Sequence, residues 1–230
     1  MKVALVRIFA YFTESQVADS DLMSEIETVQ HRPSSLTALE RRSKFSRKEI
    51  QTIYRGFKEA CPTGVIHLEQ FQDIFAHWFP FGGSKDYATL VYNTFDMDND
   101  GFISFDEFLM GLSVLSRGST DEKLTWIFNF YSHSIDGSQI TKSDLRQIVH
   151  SIHDLMGVST DYVPDNEERN YHSDCIFKMF DPSNSNYISV EQFMTVCKTN
   201  ETIMRSLHTF DTVIYRKPSR VDSRLREFPL

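Results

Sequence analysis

Apolar side chains return every three to four residues along most of the chain, the spacing that gathers one face of a helix. Ile50, Ile53, Tyr54 and Phe57 form one such stripe, entered through Ser46-x-x-Glu49, which reads as a capping box. Further stripes are Phe71, Ile74, Phe75, Trp78 and Phe79; Tyr87, Leu90, Val91 and Phe95; and Phe105, Phe108, Leu109 and Leu112. The second half repeats the arrangement with Leu124, Ile127, Phe128 and Tyr131, then Leu145, Ile148, Val149 and Ile152, then Ile176, Phe177 and Phe180. A last stripe, Ile203, Leu207, Phe210 and Ile214, lies beyond them. Between successive stripes run polar loops with Gly or Asn at the centre and Ile two or three residues later: Ile66, Ile103, Ile140 and Ile188. Strand signals are confined to the few residues around each Ile. The pattern predicts an all-α chain of helix–loop–helix repeats, the last preceded by a longer linker around Gly157 to Glu168.

The second loop carries chemistry. Asp96, Asp98 and Asp100 stand at positions 1, 3 and 5, Gly101 at 6, Ile103 at 8 and Glu107 at 12. A hard cation of Ca²⁺ size takes six to eight oxygens. Three alternating Asp supply one each, the Phe102 carbonyl adds another, Ser104 contributes through water, and Glu107 closes the shell with both carboxylate oxygens. Gly101 allows the sharp turn. This is the EF-hand pattern. An acidic solvated loop beside a helix is the plain alternative, and the completeness of the match stands against it.

The other loops are poorer in ligands. The first has Glu59 at position 1, Cys61 at 3, Pro62 at 4 and Gln70 at 12; a thiol and a proline replace oxygen donors. The third has one residue too many between Gly137 and Ile140, with Ser132 or His133 at its start and Asp144 at its end. The fourth keeps Asp181, Ser183 and Ser185, with Asn186 at the turn, yet closes with Gln192, which has no second carboxylate oxygen. EF-hands work in pairs bridged at position 8, and each loop keeps its Ile. The expected architecture is therefore four EF-hand repeats in two paired lobes, with an extra C-terminal helix. The divisions are a variable segment over 1–43, a first pair over 44–116, a second over 117–199, a helix over 200–215 and a basic tail over 216–230.

Composition narrows the function classes. The chain has 230 residues with a formal net charge of −8, which disfavours nucleic acid as a partner. Cys61, Cys175 and Cys197 are too few and too scattered for a disulfide framework, and point to a reducing compartment. No apolar run reaches the length of a membrane span. Lys2 stands where N-myristoylation needs glycine. Cys61 has no base partner, His150 and His153 lack a third ligand, and no catalytic constellation is visible, so the chain reads as a non-enzyme. Nineteen Phe exceed what two small cores require, and predict an open apolar groove.

The stretches HRPSSLTALERRSKFSRKE, YRGFKEACPTG, SVLSRGSTDEKLTW and NETIMRSLHTFDTVI resemble the neuronal calcium sensors, most closely their Kv channel-interacting (calsenilin) branch. The resemblance covers roughly residues 25–215. It implies a cytoplasmic Ca²⁺ sensor, found at the plasma membrane when bound, that serves A-type voltage-gated potassium channels as an auxiliary subunit. By the same resemblance the groove captures the channel's cytoplasmic N-terminal segment. Tyr54, Phe57, Phe75, Trp78, Phe79 and Phe95 are expected to line it, under cover of the Ile203–Ile214 helix. Leu36, Tyr54 and Lys58 are expected to make a second contact with the channel's cytoplasmic domain. The chain departs from the family in its metal pattern: there the third and fourth loops bind well and the second is degraded, whereas here the second is complete. Residues 216–230 extend past the usual end with five basic and two acidic side chains. Rival readings are a Ca²⁺-dependent DNA-binding repressor, a plain Ca²⁺ buffer, or a regulator of a receptor kinase or guanylate cyclase.

Overall fold

The structure is a computed structural model that describes residues 31–79, 83–132, 138–156, 165–205 and 207. The expected roles of residues 1–12, His133, Gly137, Gly157, Phe210, Ile214 and the basic tail fall outside those residues, as does the Trp78 side chain. Among the described residues no helix is long and apolar enough to cross a membrane.

In chain order the elements are α1 (Leu36–Arg42), α2 (Arg47–Ala60), β1 (Val65–Ile66), α3 (Leu68–Trp78), α4 (Ser84–Phe95), β2 (Ile103–Ser104) and α5 (Phe105–Arg117). There follow α6 (Thr120–Tyr131), β3 (Gln139–Thr141), α7 (Lys142–Met156), α8 (Asn166–Phe180), β4 (Tyr187–Ser189) and α9 (Val190–Thr199). Residues 201–205 are again helical. The loop isoleucines meet in two antiparallel pairs, Ile66 opposite Ile103 and Ile140 opposite Ile188. Each pair ties two helix–loop–helix units together through backbone hydrogen bonds that the loops would otherwise leave to water.

Local chemistry explains where the helices begin. Ser46 with Glu49, Ser104 with Glu107, Ser119 with Glu122, Asp165 with Glu168 and Ser189 with Gln192 form capping boxes that satisfy first-turn N–H groups. Helix α1 is an element the apolar periodicity did not disclose. It has seven residues and buries only Leu39, too little for a stripe, and it starts where the Ser35 hydroxyl accepts from Ala38 N–H.

The first half packs around aromatic rings. Phe57 meets Phe105 and Phe108 at 5.3 and 5.4 Å, and Phe71 meets Phe75 and Tyr92 at 5.2 and 5.6 Å. Arg117 pins the end of α5 to α2: it pairs with Glu49, donates to the Lys44 carbonyl at 2.7 Å and lies 4.6 Å over the Phe45 ring. The Arg117 guanidinium beside Glu49 holds that carboxyl down at about 2. Helix α4 bridges the halves, packing against α3 on one side and against α6 and α7 on the other. Phe95 meets Trp126 at 5.5 Å and Tyr87 meets Phe130 at 5.8 Å across that seam.

Helix α5 approaches the Phe95 ring so closely that only glycine fits at 111. A Cβ there would fall 2.4 Å from Phe95 Cε1 and 2.7 Å from Cδ1. Alanine gains about 1 kcal/mol in helix propensity, and overpacking costs about 1–3 kcal/mol. Gly111→Ala is expected to lower stability overall, read as a lower urea midpoint; an unchanged or raised midpoint would show that the ring moves aside freely.

Candidate functional site

The loop from Asp96 to Glu107 folds around its own carboxylates. Helix α4 ends at Phe95, so Asp96 is anchored next to the core and is itself buried. Its Oδ1 accepts from Asp100 N–H at 3.1 Å and its Oδ2 from Gly101 N–H at 3.1 Å. Asn99 (φ 58°) and Gly101 (φ 87°) take left-handed conformations that wind the loop. A Cβ on Gly101 would meet nothing within 4 Å, so glycine is required there by backbone angle rather than by space. Tyr92 closes the wrap from beneath, its hydroxyl 2.7 Å from the Gly101 carbonyl and 3.1 Å from that of Ile66. Burial and the charges of Asp96, Asp100 and Glu107 push that phenol up to about 12.

Glu107 reaches back from the first turn of α5. Its Oε2 accepts from Ser104 N–H at 2.9 Å and its Oε1 from Met97 N–H at 2.8 Å. One oxygen each from Asp96, Asp98 and Glu107 lie within 4.8 Å of one another. Asp100 turns part of its carboxylate to Phe102 N–H, at 2.9 Å. Burial, with the charges of Glu107 and Asp100, raises the Asp96 pKa. Three convergent carboxylates whose mutual repulsion no cationic side chain in the loop relieves fit a hard divalent cation, and Asp100 and the Phe102 carbonyl stand next in the loop to complete its shell. All five expected ligands, Asp96, Asp98, Asp100, Phe102 and Glu107, belong to this one wrap.

The fourth loop has the same backbone and a different charge balance. Asp181 accepts from Ser185 N–H at 3.0 Å and Asn186 N–H at 2.9 Å, as Asp96 accepts from its counterparts. Here the hydroxyls of Ser183 and Ser185 also donate to Asp181, at 3.0 and 2.9 Å. Burial opposes its charge, but these donors outweigh it and hold the carboxyl low. Gln192 spends its amide oxygen on Ser189 N–H at 2.8 Å. The first loop is closed without carboxylates: Gln70 donates to the Ala60 carbonyl at 3.1 Å and Lys58 to that of Pro62. Cys61 is buried, which drives its thiol to about 12, the reverse of nucleophile activation. In the third loop Asp144 serves as a helix cap, accepting from Thr141 N–H at 2.8 Å.

Of the aromatic residues expected to line a groove, three are closed into the core. Phe57, Phe75 and Phe95 are fully buried, and their rings interlock with Phe105, Phe108, Tyr87 and Trp126. Among the described residues, these three Phe are spent on the core and on the seam between the halves. Phe79 and Tyr54 are half-buried; the Tyr54 ring stands edge-on to Phe105 at 4.9 Å. Leu36 is half-buried in α1, and Lys58 lies one turn beyond Tyr54 on α2. Among the described residues an apolar cavity of about 520 Å³ lies in the second half, between α6, α7, α8 and α9. Leu124, Ile148, Ile176 and Phe193 line it, and Ile203 and Leu207 cover it from the C-terminal side. Its wall stripes were visible as helical periodicity; nothing in the spacing told which stripes would enclose a cavity.

Residues 93–112 match the family model for the EF hand. The match runs from the last turn of α4 through the loop into α5. An EF-hand domain is thus detected, consistent with the EF-hand calcium-binding superfamily, and it implies Ca²⁺ binding at this loop.

Proposed function

We propose that the protein is a Ca²⁺ sensor whose second-half cavity captures an amphipathic segment from the cytoplasmic N-terminus of an A-type voltage-gated potassium channel, as an auxiliary subunit. The observation that supports it is the pairing of one ligand-complete loop with a separate, large apolar cavity. A buffer needs only the first. Helix α4 carries Asp96 at its C-terminal end and packs along α6 and α7, which line the cavity. It is therefore the element through which the metal and the partner sense one another. The channel itself comes from the resemblance of the four quoted stretches, together with Leu36, Tyr54 and Lys58 as a second contact surface. In this reading the four loops make two EF-hand pairs, and the protein is cytoplasmic, joining the plasma membrane through the channel.

Ile203 and Leu207 occupy part of the cavity that a partner would use, so they compete with it. Each buried aliphatic side chain is worth about 1.5–3 kcal/mol by area transfer. Deleting residues 200–230 is expected to tighten capture of a channel N-terminal segment about tenfold in a fluorescence-anisotropy titration with and without Ca²⁺. No capture by either protein form would overturn the channel reading. Equal capture by both would show that the 201–207 turn is not a competitor.

A further inference from the structure

Helices α7 and α8 run side by side along one wall of the cavity, and three histidines meet in their seam. His150 Nε2 lies 3.2 Å from Asn170 Oδ1. The His153 and His172 rings stand edge to face with centroids 5.8 Å apart, one from each helix, and both line the apolar cavity. Neighbouring carboxylates are already committed: Asp154 accepts from Arg169 at 2.6 Å, and Asp174 pairs with Lys142 at 2.9 Å and Arg146 at 3.0 Å. The other charges of the two helices are Asp144 in the first turn of α7, exposed Glu167 and Glu168 in the first turn of α8, and exposed Lys178 in its last turn.

We propose that His153 and His172 form a proton-operated latch on this cavity. With both imidazoles neutral, α7 and α8 stay closed and the wall is apolar. Protonating both sets two like charges across the seam and puts charge into the wall an apolar occupant must touch. Acid therefore loosens the seam and weakens the hold on the occupant. The inference depends on the proposed channel reading only for who that occupant is.

Burial first, then Arg169, His172 and His150, push the His153 pKa below the ordinary imidazole range, with Asp154 alone opposing. Helix α4, which also packs on α7, carries Lys85 and Asp86 in exposed positions, and the 201–205 turn carries Glu201 and Arg205, also exposed. They offer the seam no net counter-charge. Because the folded state favours neutral His153, its contribution is complete above the unfolded value of about 6.5 and is lost as pH falls below it. Imidazole is the side chain that titrates in that window.

The test uses the Ca²⁺-saturated full chain and follows imidazole resonances by NMR between about pH 8 and 5. His153 is expected to titrate below about 6.5, and His172→Gln to raise its midpoint by about half a pH unit. Capture of the channel segment should weaken about threefold from pH 7.5 to 6 in the wild type and stay level in His153→Gln. A His153 midpoint that ignores His172→Gln, or the same pH dependence of capture in both proteins, would overturn the latch. A segment captured at no pH would overturn the channel reading, and the response of the His153 midpoint to His172→Gln would then decide the latch by itself.

Discussion

Glu107→Gln is expected to abolish tight Ca²⁺ binding while leaving the fold intact. The carboxylate is the last ligand of the loop and the only one set to give two oxygens. Altering an outer partner of a metal site costs about 10–100-fold in affinity, so losing half of a direct bidentate ligand should cost more than about 100-fold. The fold survives for a reason visible in the same chain. In the fourth loop Gln192 holds the equivalent place, and its amide oxygen still accepts from Ser189 N–H at 2.8 Å while its own N–H reaches the Ser189 hydroxyl at 3.3 Å. A glutamine caps the helix as a glutamate does; it cannot clamp a cation. Calorimetry on wild type should show one tight site in the sensor range of about 10⁻⁷–10⁻⁵ M, and none in the variant. Two tight sites in the wild type, or full affinity in the variant, would refute this assignment.

The second large effect is expected at Phe95. Its ring is fully buried, contacts Phe108 and Trp126 at 6.1 and 5.5 Å, and fills the space that Gly111 leaves for it. Truncating a core phenylalanine costs about 3–5 kcal/mol, a large share of the 5–15 kcal/mol that a domain typically has. Phe95→Ala should therefore move the urea midpoint strongly. Because Asp96 follows directly, Ca²⁺ should recover part of the loss by binding the folded state. A residue that lined a partner groove would behave in the opposite way, losing less than about 1 kcal/mol of stability together with most of the partner binding. That outcome would return Phe95 to the role its place in an aromatic stripe first suggested.

The metal loop was readable because its chemistry is local. Twelve consecutive residues supply the ligands, the left-handed turn at Gly101 and the cap at Glu107, and no distant part of the chain is needed to bring them together. The loop isoleucines were readable for a related reason, since repeats of similar spacing present similar partners. Helix α1 was not, because a seven-residue helix held by Leu39 has no period to detect. Where a cavity forms is harder to read, for a physical reason. Periodicity identifies the apolar face of a helix, but whether that face is covered depends on which neighbour arrives. Phe57, Phe75 and Phe95 look as available in sequence as Ile152 or Ile176, and tertiary packing closes over the first set while leaving the second half-exposed at the cavity.

His153 and His172 show the same division. By itself the sequence determined that two imidazoles sit on helices, and that His150 and His153 share a face. It could not place His172, nineteen residues on and across a linker, because contact between neighbouring helices depends on their relative rotation and register rather than on spacing along either. The sequence likewise settled which loop has the oxygens for Ca²⁺, since ligand count is a property of composition. Only the tertiary structure decided that Ser183 and Ser185 turn their hydroxyls onto Asp181, and that the open apolar wall lies in the second half. Those outcomes depend on which groups meet across the fold, and burial forces each meeting to be satisfied or filled.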